Sequence, residues 1–258
     1  MFIWVIVIIL VITAIWYLTR TKKQTLTDST DLPVHDKIAQ EDAHIDRPLV
    51  YNGSELEFST EVLHAVLTKH FQYYNRLLDV DREKFISRLR KFIDNKIFII
   101  HARKGYREMP ILISASAIQL TFGLRKYLLS HFNIIQVFPE AFVGLEPFRI
   151  LIGNVTGNTI NIAWKQFLEG YKNKYDLQNV GLHEMAHALY YQNFETELYV
   201  DRNFKDAFQE FWAESIEIYF KCPDRLQLHY PDLYKALCDI LHQDPLNYPN
   251  HLFQAGGE

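Results

Sequence analysis

Apolar and polar positions divide the chain into three stretches of different character. Residues 1–18 (MFIWVIVIILVITAIWYL) contain no charged side chain. Residues 24–51 are polar, mixed in charge and without sustained periodicity. From residue 59 onward apolar positions recur with the periods of folded elements. Val62, Leu63, Val66, Leu67 and Phe71 mark an amphipathic helix within 59–74. Phe85, Leu89, Phe92 and Ile93 mark a second one after Asp81. KIFIIH (96–101) and NIIQVF (133–138) are short and β-rich, and Pro139 closes the second. Residues 111–129 read as helical, interrupted or ended near Gly123. Residues 148–152 and 159–163 are strand-like and separated by a Gly-Asn turn region. Helical patterning resumes from Asn179, again over about 205–219, and finally over 233–242 after Pro231. Helices, a few short strands, then helices predict an α+β domain, mainly helical with a small sheet.

The first stretch predicts a single transmembrane helix. Eighteen uncharged residues meet the lower limit for crossing a bilayer core. No Lys or Arg precedes the run, whereas Arg20, Lys22 and Lys23 follow it. A cleavable signal peptide has the opposite layout. The basic cluster favours the cytoplasmic side, so the domain is expected to face the cytoplasm. The expected organisation is an anchor over 1–19, with membrane contact through 2–18, a polar tether over 20–57 and one domain over 58–258.

Composition narrows the partners. The chain has 258 residues, 48% of them hydrophobic, which suffices for a sizeable core. A formal charge of −4 lacks the footprint of a nucleic-acid binder. Two cysteines, Cys222 and Cys238, make neither a disulfide framework nor a thiolate metal site.

The chemistry is concentrated in two helices. His183-Glu184-Met185-Ala186-His187 fits H-E-x-x-H. Residues four apart share one helix face, so both imidazoles can meet one zinc ion, and Glu184 can take a proton from water activated there. Asn179 is placed to cap this helix. A catalytic zinc has three protein ligands. The residues after His187 offer no further His at the needed spacing, which points to a carboxylate on a later helix. FQEFWAESIEIYF (208–220) places Glu210, Glu214 and Glu217 on one stripe beside large aromatics. Glu210 is expected as the third ligand and Glu214 as an acceptor for a ligand histidine's N–H. Glu217 reads as part of a solvated outer face.

NVGLHEMAHAL (179–189) and EFWAESIEIYF (210–220) together resemble the Mlc titration factor A family of zinc-dependent peptidases, whose catalytic domain is related to anthrax lethal factor. YYNRLL (73–78), VFPEAFV (137–143) and HYPDLYKAL…QDPL (229–246) are similar to further family segments. The resemblance covers about residues 60–250. It implies a zincin-like α+β fold, one zinc held by His183, His187 and Glu210, and Glu184 as base. It implies an aminopeptidase or short-peptide hydrolase acting on peptide or protein substrates, and a transcriptional repressor as a partner. It also implies a tyrosine seven residues before the ligand Glu. Asn203 stands there, and Tyr199, one turn upstream, is the candidate for the hydroxyl. Only 23 positions separate His187 from Glu210, fewer than the family usually has. An alternative reading is a membrane-tethered module that sequesters a transcriptional regulator with little peptidase activity.

Overall fold

A computed structural model describes residues 47–101, 105–144, 149–172, 178–194 and 202–247. The chain divides into two units, Met1–Gln40 and Glu41–Glu258. The first, with the expected span, lies outside the described residues. Among the described residues no helix is long and apolar enough to cross a membrane.

The described part follows the order β1 (Leu49–Asn52), α1 (Thr60–His70), α2 (Gln72–Asn75), α3 (Asp79–Asp94), β2 (Ile97–Ile100), α4 (Glu108–Thr121) and β3 (Ile134–Phe138). It continues with the short β4 (Phe142–Val143) and β5 (Ile150–Leu151), then β6 (Gly153–Thr156), β7 (Thr159–Ala163), α5 (Trp164–Lys172), α6 (Val180–Phe194), α7 (Arg202–Lys221), α8 (Pro223–His229) and α9 (Pro231–Leu241). This is the expected mainly helical α+β arrangement.

Five strands form a mixed sheet in the order β1-β2-β3-β7-β6, with β2-β3 and β3-β7 parallel and both outer pairs antiparallel. Alternation in β2 and β3 gives it a core face, with Phe98, Ile100, Ile135 and Val137 fully buried between more exposed neighbours, while β7 is buried from Ile160 to Ala163. Helix α4 makes the crossover between β2 and β3. It is buried from Met109 to Thr121, which is why it is apolar on all sides rather than striped. Two of its buried hydroxyls bond within the helix, Ser116 donating to Leu112 O at 3.3 Å and Thr121 to Ala117 O at 2.7 Å.

Three local readings are corrected. Leu49–Asn52, assigned to the tether for its polar surroundings, pairs antiparallel with β2 and alternates half-buried and exposed positions. The first Gly-Asn pair, Gly153-Asn154, is strand rather than turn. The hairpin between β6 and β7 turns at Gly157-Asn158, where Gly157 has φ +55°. Helix α5 was not anticipated, although Trp164, Phe167 and Tyr171 recur at helical spacing.

The C-terminal segment locks the helical layer. Gln243, 3% exposed, donates to the carbonyls of Gln119 and Leu120 near the end of α4, and its side-chain oxygen accepts from the Tyr73 hydroxyl at 2.8 Å. Tyr219 in α7 donates to the backbone carbonyl of Gln243 at 2.5 Å. Gly123 has no room for a side chain here: a Cβ would lie 2.2 Å from the carbonyl oxygens of both Leu241 and His242. Helix α7 is thereby fixed against α4, and α4 against α6.

Candidate metal centre

Helices α6 and α7 run antiparallel, as their pairings show. Tyr191 donates to Gln209 Oε1 at 2.9 Å, Trp212 Nε1 to Ala186 O at 2.9 Å, and Lys221 Nζ to Gln178 O at 2.8 Å. Residue numbers rise along one helix as they fall along the other. Glu210 therefore comes level with His183 and His187, and Glu217 with the start of α6.

Helix α6 begins as the sequence requires. Asn179 Oδ1 accepts from Leu182 N at 3.0 Å, and Asn179 O accepts from His183 N at 2.9 Å. One turn later the two imidazoles share a face. Their Nε2 atoms lie 3.1 Å apart. Glu210 faces both: Oε2 is 3.5 Å from His183 Nε2, and Oε1 is 3.5 Å from His187 Nε2. His183, His187 and Glu210 each offer one ligand atom, all within 4.8 Å of one another. A tetrahedral ion with bonds of about 2.0–2.1 Å holds its ligand atoms about 3.3 Å apart. The observed separations of 3.1 Å and 3.5 Å lie close to that edge length. The histidines are largely buried, while the Glu210 side chain is 61% exposed, so the centre opens to solvent on the α7 side.

Electrostatics mark the same cluster. Burial by itself would depress His183, but the hydrogen bonds it donates to the carboxylates of Glu210 and Glu217 outweigh it and raise its pKa. Burial and the neighbouring His183 depress His187. Two Nε2 atoms 3.1 Å apart cannot both carry protons, so at most one of the two facing nitrogens is protonated in the metal-free chain. The hydrogen bond to His183 draws Glu210 below the usual carboxylate range, against the opposing effect of burial.

Glu217 corrects the reading of α7. It was assigned to a solvated face, yet it is 7% exposed. Its Oε2 accepts from His183 Nδ1 at 3.1 Å, and its Oε1 accepts a hydrogen bond from Asn179 N. Glu217, rather than Glu214, is thus the acceptor for the histidine N–H. That contact holds a proton on Nδ1 and turns Nε2 toward the centre, where its lone pair is available to a metal once the Nε2 proton is given up. Glu214 lies near enough to feel His183, Glu210 and Glu217, and burial raises its pKa. It makes no hydrogen bond or ion pair among the described residues. Tyr199 lies outside the described residues, as does the side chain of Asn203.

Glu184 sits beneath the centre. It is 4% exposed, and its Oε2 has no hydrogen-bond partner among the described residues. Burial pushes its carboxyl up to about 8, against the opposing charge of His183. An uncompensated buried carboxyl is costly, so its retention suits a group that exchanges protons. Gly153 lies directly against it: a Cβ there would stand 2.4 Å from Oε1 and 2.7 Å from Cδ and Cγ. Only glycine lets the edge strand β6 approach this closely. Gly153→Ala is expected to displace the Glu184 carboxylate and lower turnover by about 10²-fold with metal content unchanged. Paired elemental analysis and initial-rate measurement check this. Wild-type turnover in the variant would show that the position of Glu184 is not critical.

Residues 53–199 match the family model described as glucose-regulated metallo-peptidase M90. The chain belongs to this metallopeptidase family. The matched residues include the whole of α6 with both histidines and Glu184, and they end before α7. The family accordingly supports a metal-dependent peptidase chemistry, while the convergence of Glu210 on the two rings is a property of this structure. No curated protein matches the chain.

Proposed function

We propose that the chain is a zinc-dependent peptidase acting on short peptides, with His183, His187 and Glu210 as ligands and Glu184 as general base. The observation that carries this is the convergence of two imidazoles and one carboxylate at the separations a tetrahedral ion requires. The donor set, two neutral nitrogens and one carboxylate oxygen, suits zinc. When bound there, zinc supplies Lewis acidity, polarising the scissile carbonyl and making water acidic enough to lose a proton near neutral pH.

The remaining work falls to this chain's own side chains. Glu217 keeps the His183 ring turned so that Nε2 faces inward. Trp212 and Tyr191 pin α6 to α7, which holds Glu210 level with the rings. Glu184, buried and with no hydrogen-bond partner on Oε2 among the described residues, takes the proton from the attacking water and delivers it to the leaving amine. The aminopeptidase preference is supported by the family resemblance of the two motif segments.

A peptide library containing free and acetylated N-termini tests this. Chelator-sensitive hydrolysis, restored by zinc and confined to free N-termini, is the expected result. Hydrolysis of acetylated peptides at equal rates would discard the aminopeptidase preference, and absence of chelator-sensitive hydrolysis would discard the peptidase reading. In that second case the regulator-sequestering alternative, which Asn203 at the family's tyrosine position favours, becomes the better one.

A further inference from the structure

The metal centre leaves one carboxylate of α7 unemployed. Both oxygens of Glu210 face the imidazoles, each at 3.5 Å. Both oxygens of Glu217 accept hydrogen bonds, one from His183 Nδ1 and one from Asn179 N. Glu214 lies between them in sequence and is half-buried. Among the described residues it makes no hydrogen bond or ion pair. A carboxylate that is partly withdrawn from water and unpaired destabilises the fold that holds it. Burial raises its pKa accordingly.

Helix geometry places Glu214 at the mouth of the centre. The buried side of α7 is made by Gln209, Trp212, Ala213, Ile216 and Phe220. Measured round the helix from Glu210, Glu217 lies about 20° toward that side and Glu214 about 40° away from it. Glu217 therefore sits behind the ligand row and Glu214 in front of it. Glu210, one turn from Glu214, is itself 61% exposed, so this is the side on which the centre opens. Residues four apart on a helix have their Cβ atoms about 5–6 Å apart, which sets the reach of the spare carboxylate from the ligand carboxylate.

We propose that Glu214 binds the α-ammonium group of the substrate and so confines cleavage to the first peptide bond. This rests on the peptidase reading given above and assigns a residue to its preference for free N-termini. In a peptide with a free N-terminus the ammonium nitrogen is two bonds, about 2.5 Å, from the first carbonyl carbon. A charge-assisted hydrogen bond of about 2.7–2.9 Å adds to that reach. With the carbonyl at the centre, the ammonium group needs an acceptor about one helical turn from the ligand carboxylate, and Glu214 stands there. One carboxylate is too few to hold a second metal ion, but it suffices for one ammonium group. An acetylated N-terminus or an internal peptide bond brings only a neutral N–H and leaves the Glu214 charge unpaired.

The test is calorimetric titration of the zinc-loaded full chain with L-leucine hydroxamate and with its N-acetyl derivative. The hydroxamate group binds the metal in place of the scissile amide, and the two probes differ only at the α-nitrogen. Wild type is expected to bind the free form about 10–100-fold more tightly, the range that a hydrogen bond between charged groups supplies. In Glu214→Gln that ratio is expected to fall close to one, with zinc content by elemental analysis unchanged. Glu214→Asp keeps the charge but shortens the reach by one methylene. It is expected to lie between the two, and it reads the same contact should Glu214→Gln not fold. A wild-type ratio retained in both variants would overturn the inference. So would loss of zinc, or an equal fall in affinity for both probes, since Glu214 would then serve the metal rather than the ammonium group. Equal binding of the two probes by wild type would remove this inference and the preference for free N-termini together, while chelator-sensitive hydrolysis would keep the peptidase reading in place. Binding of neither probe, with no zinc in the wild type, would remove the zinc reading itself and this inference with it.

Discussion

Glu184→Gln is expected to keep its zinc and lose about 10²–10⁴-fold in turnover, the share that a positioned acid–base group contributes. The substitution is nearly isosteric, and the site it enters is fully defined. The side chain is buried, Gly153 lies against Oε1, and Oε2 bonds to nothing among the described residues. An amide fits that space but cannot take a proton. The variant also removes an ionisable group whose burial is uncompensated, since the carboxyl is held up to about 8 in the metal-free protein. Its melting temperature should therefore equal or exceed that of the wild type. Loss of activity with gain of stability is the signature of a group kept for chemistry. A variant with turnover within about threefold of wild type, a fraction of the loss a general base should cause, would remove Glu184 from the mechanism.

The second large effect is expected at Glu217. Glu217→Ala leaves the His183 and Asn179 N–H groups buried without an acceptor. Stranding the partners of a buried charged group costs about 3–5 kcal/mol. For a domain of this size that is a fall of about 10 °C in melting temperature. Glu217→Gln should be nearly as harmful. Its single oxygen can serve one donor, and its NH₂ then opposes the other. Zinc affinity should fall about 10–100-fold in both variants, because His183 loses the contact that fixes its tautomer. Calorimetry and chelator competition measure the two effects separately. A Glu217→Ala protein that melts and binds zinc like wild type would show that the His183 orientation is held by other means.

Much of this centre was legible before any coordinates. The H-E-x-x-H spacing places both rings on one helical face, and Asn179 caps that helix as its side chain predicts. Glu210 followed from the ligand count. What the sequence did not yield directly was which later carboxylate serves His183. On an ideal helix each residue advances about 100°, so Glu214 lies about 40° from Glu210, whereas Glu217 lies only about 20° away on the other side. Glu217 also stands about 10 Å further along the axis, the distance that brings it level with the start of an antiparallel α6. The angle was available from the sequence. The antiparallel crossing was not, because it depends on the packing of Trp212, Tyr191 and Lys221 across the two helices.

The sheet was read less completely, for similar reasons. β1 and β6 are edge strands, and edge strands need only half an apolar pattern. Val50 is 63% exposed, and β6 carries Gly153 and Asn154, which look like a turn. The glycine is needed for close approach to Glu184 rather than for chain reversal. The positive φ that a turn uses is at Gly157. Helix α5 is nine residues long and follows β7 directly, so its pattern merges with the strand before it. Its contribution, the Tyr171 hydroxyl against Ser116, joins positions 55 apart that no local pattern connects.

Elemental analysis of metal content in the full chain and in His183→Ala, His187→Ala and Glu210→Ala bears most directly on the centre. One zinc per wild-type chain, lost at micromolar protein from each of the three variants, is the expected result. Zinc held as tightly by Glu210→Ala as by wild type, or no zinc in the wild type, would contradict it.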